Sequence, residues 1–147
     1  MEETTRRAIM AITSFGALAA AGAQVPAAAQ ERSVWDGVYT AEQAARGGPL
    51  YATECAACHG AELEGGEIAP PLEGREFVWK WNGLTVGDLF ERLRVSMPLD
   101  APSRVSRTQK ADILAYLFSR NKFPVGEAEL ASRTAWLNQI RFDAVKP

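Results

Sequence analysis

Both cysteines and the only histidine of this 147-residue chain lie in one five-residue run, Cys55-Ala56-Ala57-Cys58-His59. Few chemistries use such a cluster. Structural zinc calls for four protein ligands, and here only three Cys and His side chains exist, crowded into adjacent positions. A thioredoxin-type redox pair would sit between a strand and a helix of a βαβ unit, and no strand-rich run precedes Cys55. A Cys55–Cys58 disulfide suits an exported chain with two cysteines. It closes a very small loop of little stabilising value, however, and leaves His59 without a role. Covalent haem uses all three residues, and C-x-x-C-H is its attachment signature. On a helix, positions 55, 58 and 59 are i, i+3 and i+4 and share one face. Two thiols can then add to the two vinyl groups while the imidazole reaches the iron. Gly60 lets the chain turn away from the ring.

The first 29 residues read as a signal peptide. Arg6 and Arg7 form a basic start, and Ala8 to Ala23 is apolar except for Thr13, Ser14 and Gly16. Small-x-small sites put the expected cleavage after Ala29, or after Ala23. An uncleaved anchor is the competing reading, for which the stretch is short and Ala-rich. Residues 30–147 then form one domain, with 14 basic and 16 acidic side chains. That balance argues against nucleic acid, which calls for a strongly basic face. No later segment is apolar enough to span a bilayer. Haem attachment takes place outside the cytoplasm, so the expected location is the periplasm.

Three helices are legible. One starts at Thr40, an N-cap with Gln43 three residues on as a capping box, and runs towards Cys55. Gly48-Pro49 interrupts it, and a kink or two short helices are expected there. A second starts at Thr85-Val86-Gly87-Asp88, carries Leu89, Phe90 and Leu93 on one face, and must end near Val95. Pro98 then disfavours helical geometry at Met97 and holds it extended. A third, capped at Thr108, carries Ile113, Leu114, Tyr116, Leu117 and Phe118 and ends at Asn121, before Pro124.

From about Val34 to Phe123 these features resemble the class I cytochromes c, especially small bacterial ones with a Met-Pro sixth-ligand loop. Gly47, Tyr51 and Cys55 match that family's glycine–aromatic–cysteine ladder, with Ile113 and Tyr116 the expected partners of Gly47 and Tyr51. The resemblance implies an all-α cytochrome c fold, helices wrapped around one covalently bound haem c, with N- and C-terminal helices crossing. Cys55 and Cys58 carry the haem, and His59 is its proximal iron ligand. Met97 is the expected sixth ligand, being the only methionine outside the leader, with no second histidine to compete. Pro70-Pro71-Leu72 resembles the family's Pro-x-Leu, in which a proline carbonyl (Pro70 by the pattern, Pro71 by loop length alone) accepts the histidine ring N–H and the leucine packs on the haem. Trp81 and Arg75, with Trp79 and Asn82 behind them, are candidates to donate to the propionates.

The expected function is a single-electron carrier, because two axial side chains leave the iron no open site. Its expected partners are redox proteins (a dehydrogenase, an oxidase or another cytochrome), and the chain is expected to be a monomer. Rival readings are a dedicated cytochrome subunit of an exported quinoprotein-type dehydrogenase, a haem sensor or peroxidase-like protein with a labile Met97, and a haem-free domain with a Cys55–Cys58 disulfide. Residues 54–76 carry net charge −5 and residues 92–110 net +4, so a basic methionine side is expected to steer docking. Residues 125–147 form a C-terminal extension in which Ser132 is expected to cap a short helix, with Ile140 and Phe142 packing back on the domain or forming a partner interface. The leader from Val34 to Tyr39 carries the same two possibilities.

Overall fold

The computed structural model describes residues 32–147, so the expected signal peptide lies outside the described residues. Strand β1 (Arg32–Ser33) and a tight helical turn (Val34–Asp36) lead into α1 (Ala41–Glu54) and the single turn α2 (Ala56–His59). Then come α3 (Gly74–Trp81), α4 (Val86–Ser96), α5 (Arg107–Arg120), the short α6 (Thr134–Leu137) and strand β2 (Ile140–Arg141). Apart from the two-residue strands, the fold is all-α.

Helix α1 starts where its cap dictates. Thr40 is extended, and its hydroxyl accepts from Gln43 N at 3.1 Å, satisfying one of the free donors of the first turn. The reciprocal half of the expected capping box is not made. The Gln43 carboxamide turns inward and pairs with both backbone groups of Leu130, at 3.0 and 2.6 Å.

The expected division of α1 into two helices does not occur. The helix runs unbroken from Ala41 to Glu54 with Pro49 inside it. A mid-helix proline costs roughly 3 kcal/mol, and packing against α5 on both sides of it supplies the compensation. Before Pro49, the Arg46 guanidinium forks onto Asp112 at 3.2 and 3.1 Å. After it, the Tyr51 ring lies 5.5 Å from that of Tyr116. Between them the backbones nearly touch: a Cβ on Gly47 would lie 2.0 Å from the Asp112 carbonyl oxygen and 2.8 Å from Tyr116 Cβ. Tyr116 is thus one expected partner of the ladder, while Asp112, not Ile113, faces Gly47.

Helix α5 begins two residues earlier than expected, because Ser106 has Gln109 three residues on and forms a complete capping box. Thr108 would have had Ala111 there. At the other end the Asn121 side chain bonds Leu117 O and Leu72 O. Helix α4 carries the expected Thr85/Asp88 box and stops at Met97. Helix α3 was not anticipated: Phe77 is its one buried residue, too little for a periodic signal.

The C-terminal extension belongs to the core. Leu130, Leu137, Ile140 and Phe142 are buried, and the Phe142 ring packs against Phe77, Phe118 and Phe123. Strand β2 pairs in parallel with β1, Arg32 opposite Ile140. Arg133, not Ser132, stands at the N-cap position of α6, and its side chain makes no capping hydrogen bond. The leader packs with it: Val34, Val38 and Tyr39 are buried, and Gly126 N donates to Tyr39 O at 2.7 Å.

Candidate functional site

Cys55 caps the end of α1 in a non-helical conformation, φ −128° and ψ −36°, and α2 begins one residue later. The run 55–59 is therefore one turn set off from α1, not the tail of a continuous helix. It remains a helical turn, since Cys58 N and His59 N both donate to Cys55 O, at 3.1 and 3.0 Å. Gly60 leaves it at φ +82°, a conformation that favours glycine. The turn is fastened from three sides. Tyr51 Oη donates to Gly60 O at 2.6 Å, Gly65 N to His59 O at 2.8 Å, and Leu72 N to Leu63 O at 2.9 Å.

His59 is buried, and its Nδ1 lies 2.8 Å from Pro70 O. A carbonyl only accepts, so Nδ1 carries the proton and Nε2 keeps its lone pair. Both cysteines are free thiols. Burial, followed by the neighbouring Glu54 carboxylate, pushes the Cys55 thiol up to about 11, whereas Cys58 is exposed.

Met97 is extended, φ −129° and ψ 139°, half-buried, and joined to Pro98 by a cis peptide. Its loop is tied to the cysteine turn through Arg104, which reaches Glu54 at 2.8 Å on one side and Asp100 at 2.9 Å on the other. Glu54 immediately precedes Cys55 in the chain. Leu72 and Trp81 are half-buried against the core, Trp79 and Arg75 are exposed, and Asn82 Oδ1 accepts from Ala144 N at 2.8 Å. That bond uses the carboxamide oxygen and leaves the Nδ2 donors to the expected role. Cys55, Cys58, His59 and Pro70 form one locus; Arg75 and Trp81 share α3, and Met97 ends α4.

The expected basic face is largely used up inside the domain. Arg94 pairs with Glu91, Arg104 with Glu54 and Asp100, and Lys110 is buried. Arg107 lies over the Phe90 ring and donates to Ser132 O and Thr134 Oγ1. Of the five bases between Arg92 and Lys110, Arg92 alone projects without such a partner among the described residues. Sequence reasoning missed Lys110 and Arg104. Lys110 left a trace, because it precedes Ile113, Leu114 and Leu117 at steps of three, four and seven on the apolar face of α5.

Among the described residues no helix is long and apolar enough to cross a membrane, and no group of three His, Cys, Asp or Glu side chains is placed to hold a metal ion. Residues 42–117 match the family model described as cytochrome c oxidase, cbb3-type, subunit III. No curated protein and no solved structure matches the chain.

Proposed function

The chain belongs to the family described as cytochrome c oxidase, cbb3-type, subunit III, a family of c-type cytochromes, and from that premise we propose that it is a periplasmic one-haem electron carrier whose iron is held by His59 and Met97. Membership implies a covalent haem c and haem-based electron transfer. A haem c supplies a one-electron iron couple that turns over without making or breaking bonds to a substrate.

The observation that carries the reading is the buried His59 ring with Nδ1 donating to Pro70 O at 2.8 Å. That bond fixes the tautomer and orientation and leaves Nε2 as the donor atom, as a metal-bound imidazole requires. The neighbouring donors fit the same group. Cys55 and Cys58 are unpaired thiols three positions apart, able to become the two thioethers. Met97 supplies a neutral sulfur, which raises the reduction potential relative to stronger donors. Leu72 would pack on the ring, and Trp81 and Arg75 would donate to its propionates. With His59 and Met97 both holding the iron, no site would remain for oxygen or peroxide, and the group would supply single electrons to a larger redox protein. A dehydrogenase and an oxidase are both partners of that kind. The basic leader with its short apolar run supports the periplasmic location.

The test is an absorption spectrum of protein matured in a periplasm, oxidised, reduced and then exposed to carbon monoxide. The expected result is a low-spin c-type spectrum with a methionine–iron band and no response to carbon monoxide. Rapid binding of carbon monoxide would overturn the carrier reading in favour of a sensor or peroxidase-like protein.

A further inference from the structure

Lys110 sits on the inward side of α5 and is 2 % exposed. An ammonium loses hydration when buried and holds its charge there only if its protons find acceptors. It finds two backbone carbonyls: Nζ donates to Arg94 O at 2.9 Å and to Pro102 O at 2.7 Å. Arg94 stands three residues before Met97 and Pro102 five residues after it. One cation thus fastens both ends of the Met97 segment to the same helix.

Besides these bonds the segment has the buried Pro98 ring and Arg104 N donating to Ala101 O at 3.0 Å. Leu99 is 78 % exposed, and the internal bonds are Met97 N to Leu93 O at 3.2 Å and Ala101 N to Pro98 O at 3.2 Å. The Arg104 pairs with Asp100 and Glu54 reach it from the solvent side, where screening weakens them. The Lys110 bonds are charge-assisted and shielded, so they are the strongest of the set.

We propose that Lys110 is a positioning residue for the sixth ligand: its ammonium, bonded to Arg94 O and Pro102 O, holds the Met97 loop in the conformation that presents the thioether to the haem iron, and so sets how often that ligand lets go. The proposal rests on the His59/Met97 reading above. A thioether is a weak ligand, and the free energy that holds its loop closed adds directly to its residence on the metal. Losing hydrogen bonds to a charged group shifts such an equilibrium by about tenfold or more.

The experiment uses haem-loaded protein. Lys110→Met keeps the unbranched apolar stem and removes the donors, whereas Lys110→Arg keeps a buried cation. We expect Lys110→Met to weaken the methionine–iron band and to bind carbon monoxide, in the reduced state, about tenfold faster or more. Lys110→Arg should restore both properties at least in part. A folded Lys110→Met protein with an unchanged band and unchanged carbon monoxide kinetics overturns the proposal. A wild-type protein that itself lacks the band overturns Met97 ligation instead, so the two failures are distinct. A second measurement needs no variant. During denaturant titration of the wild type, the slowly exchanging Lys110 ammonium resonance and the methionine–iron band should disappear together, ahead of helix circular dichroism. Loss of the band while the ammonium resonance persists would also overturn it.

Discussion

Gly47 is the residue on which the helix crossing turns. Its α-carbon hydrogen faces the Asp112 carbonyl, and a Cβ built there would lie 2.0 Å from that oxygen. The clash is with backbone, so no side chain can swing aside. Gly47→Ala should therefore destabilise the haem-loaded protein by about 3 kcal/mol. Gly48→Ala is the control. Its Cβ would meet the Tyr116 ring at 3.5 Å, an ordinary contact, and the gain in helix propensity makes it neutral or slightly stabilising. Urea titration of both variants decides the matter, and equal effects would show that α1 and α5 do not cross so closely. At this scale the cysteine–histidine run was legible because its meaning lies in five consecutive residues. Of the two outcomes expected at Pro49, a kink or two short helices, the second does not occur, because Arg46–Asp112 and Tyr51–Tyr116, contacts to residues some 65 positions away, hold α1 continuous.

Caps decide where the helices begin. Ser106 holds Gln109 N and receives the Gln109 side chain in return, while Thr108 is exposed in the first turn. Ser106→Ala should cost about 1 kcal/mol, and Thr108→Ala should stay within ~0.5 kcal/mol. Thermal unfolding of the pair measures the difference, and the reverse order would move the start of α5 to Thr108. The joint between α4 and α6 offers a second measurement at this scale. Glu91 bonds Arg94 within α4 and Thr134 in α6, and the Arg94 guanidinium, followed by Thr134, holds its carboxyl down at about 2 against an ordinary 4.5. A depressed folded-state value stabilises fully above pH 4.5 and is lost as pH falls towards 2. Glu91→Gln should therefore lower stability modestly at neutral pH and flatten its fall across that window, so that the variant and the wild type converge towards pH 2.5, as urea midpoints taken from pH 6 to 2.5 would show. Helices α1, α4 and α5 were legible from caps and apolar periodicity. Helix α3 was not, since a single buried phenylalanine among charged and exposed aromatic residues sets no period.

For the molecule as a whole, the unexpected weight lies in the last residues. Phe142 is fully buried among Phe77, Phe118 and Phe123, so Phe142→Ala should remove about 4 kcal/mol, close to the whole stability of a small domain. A chain ending at Pro124 should lose cooperative unfolding altogether. A truncated chain that kept the full urea midpoint would mean that the tail merely decorates the fold. The sequence hinted at this through Ile140 and Phe142, but the same apolar residues would equally have made a partner surface. What they meet depends on α3 and on the leader, neither of which announces itself. Ser33 Oγ donates to Asp143 at 2.7 Å, Trp35 Nε1 donates to the Asp143 carbonyl at 2.9 Å, and β1 lies alongside β2. Because β1 pairs with β2, far apart along the chain, the described domain closes only when both segments are in place. Until then the chain stays loose, and the Cys55 side chain, partly shielded once the domain shuts, stays accessible.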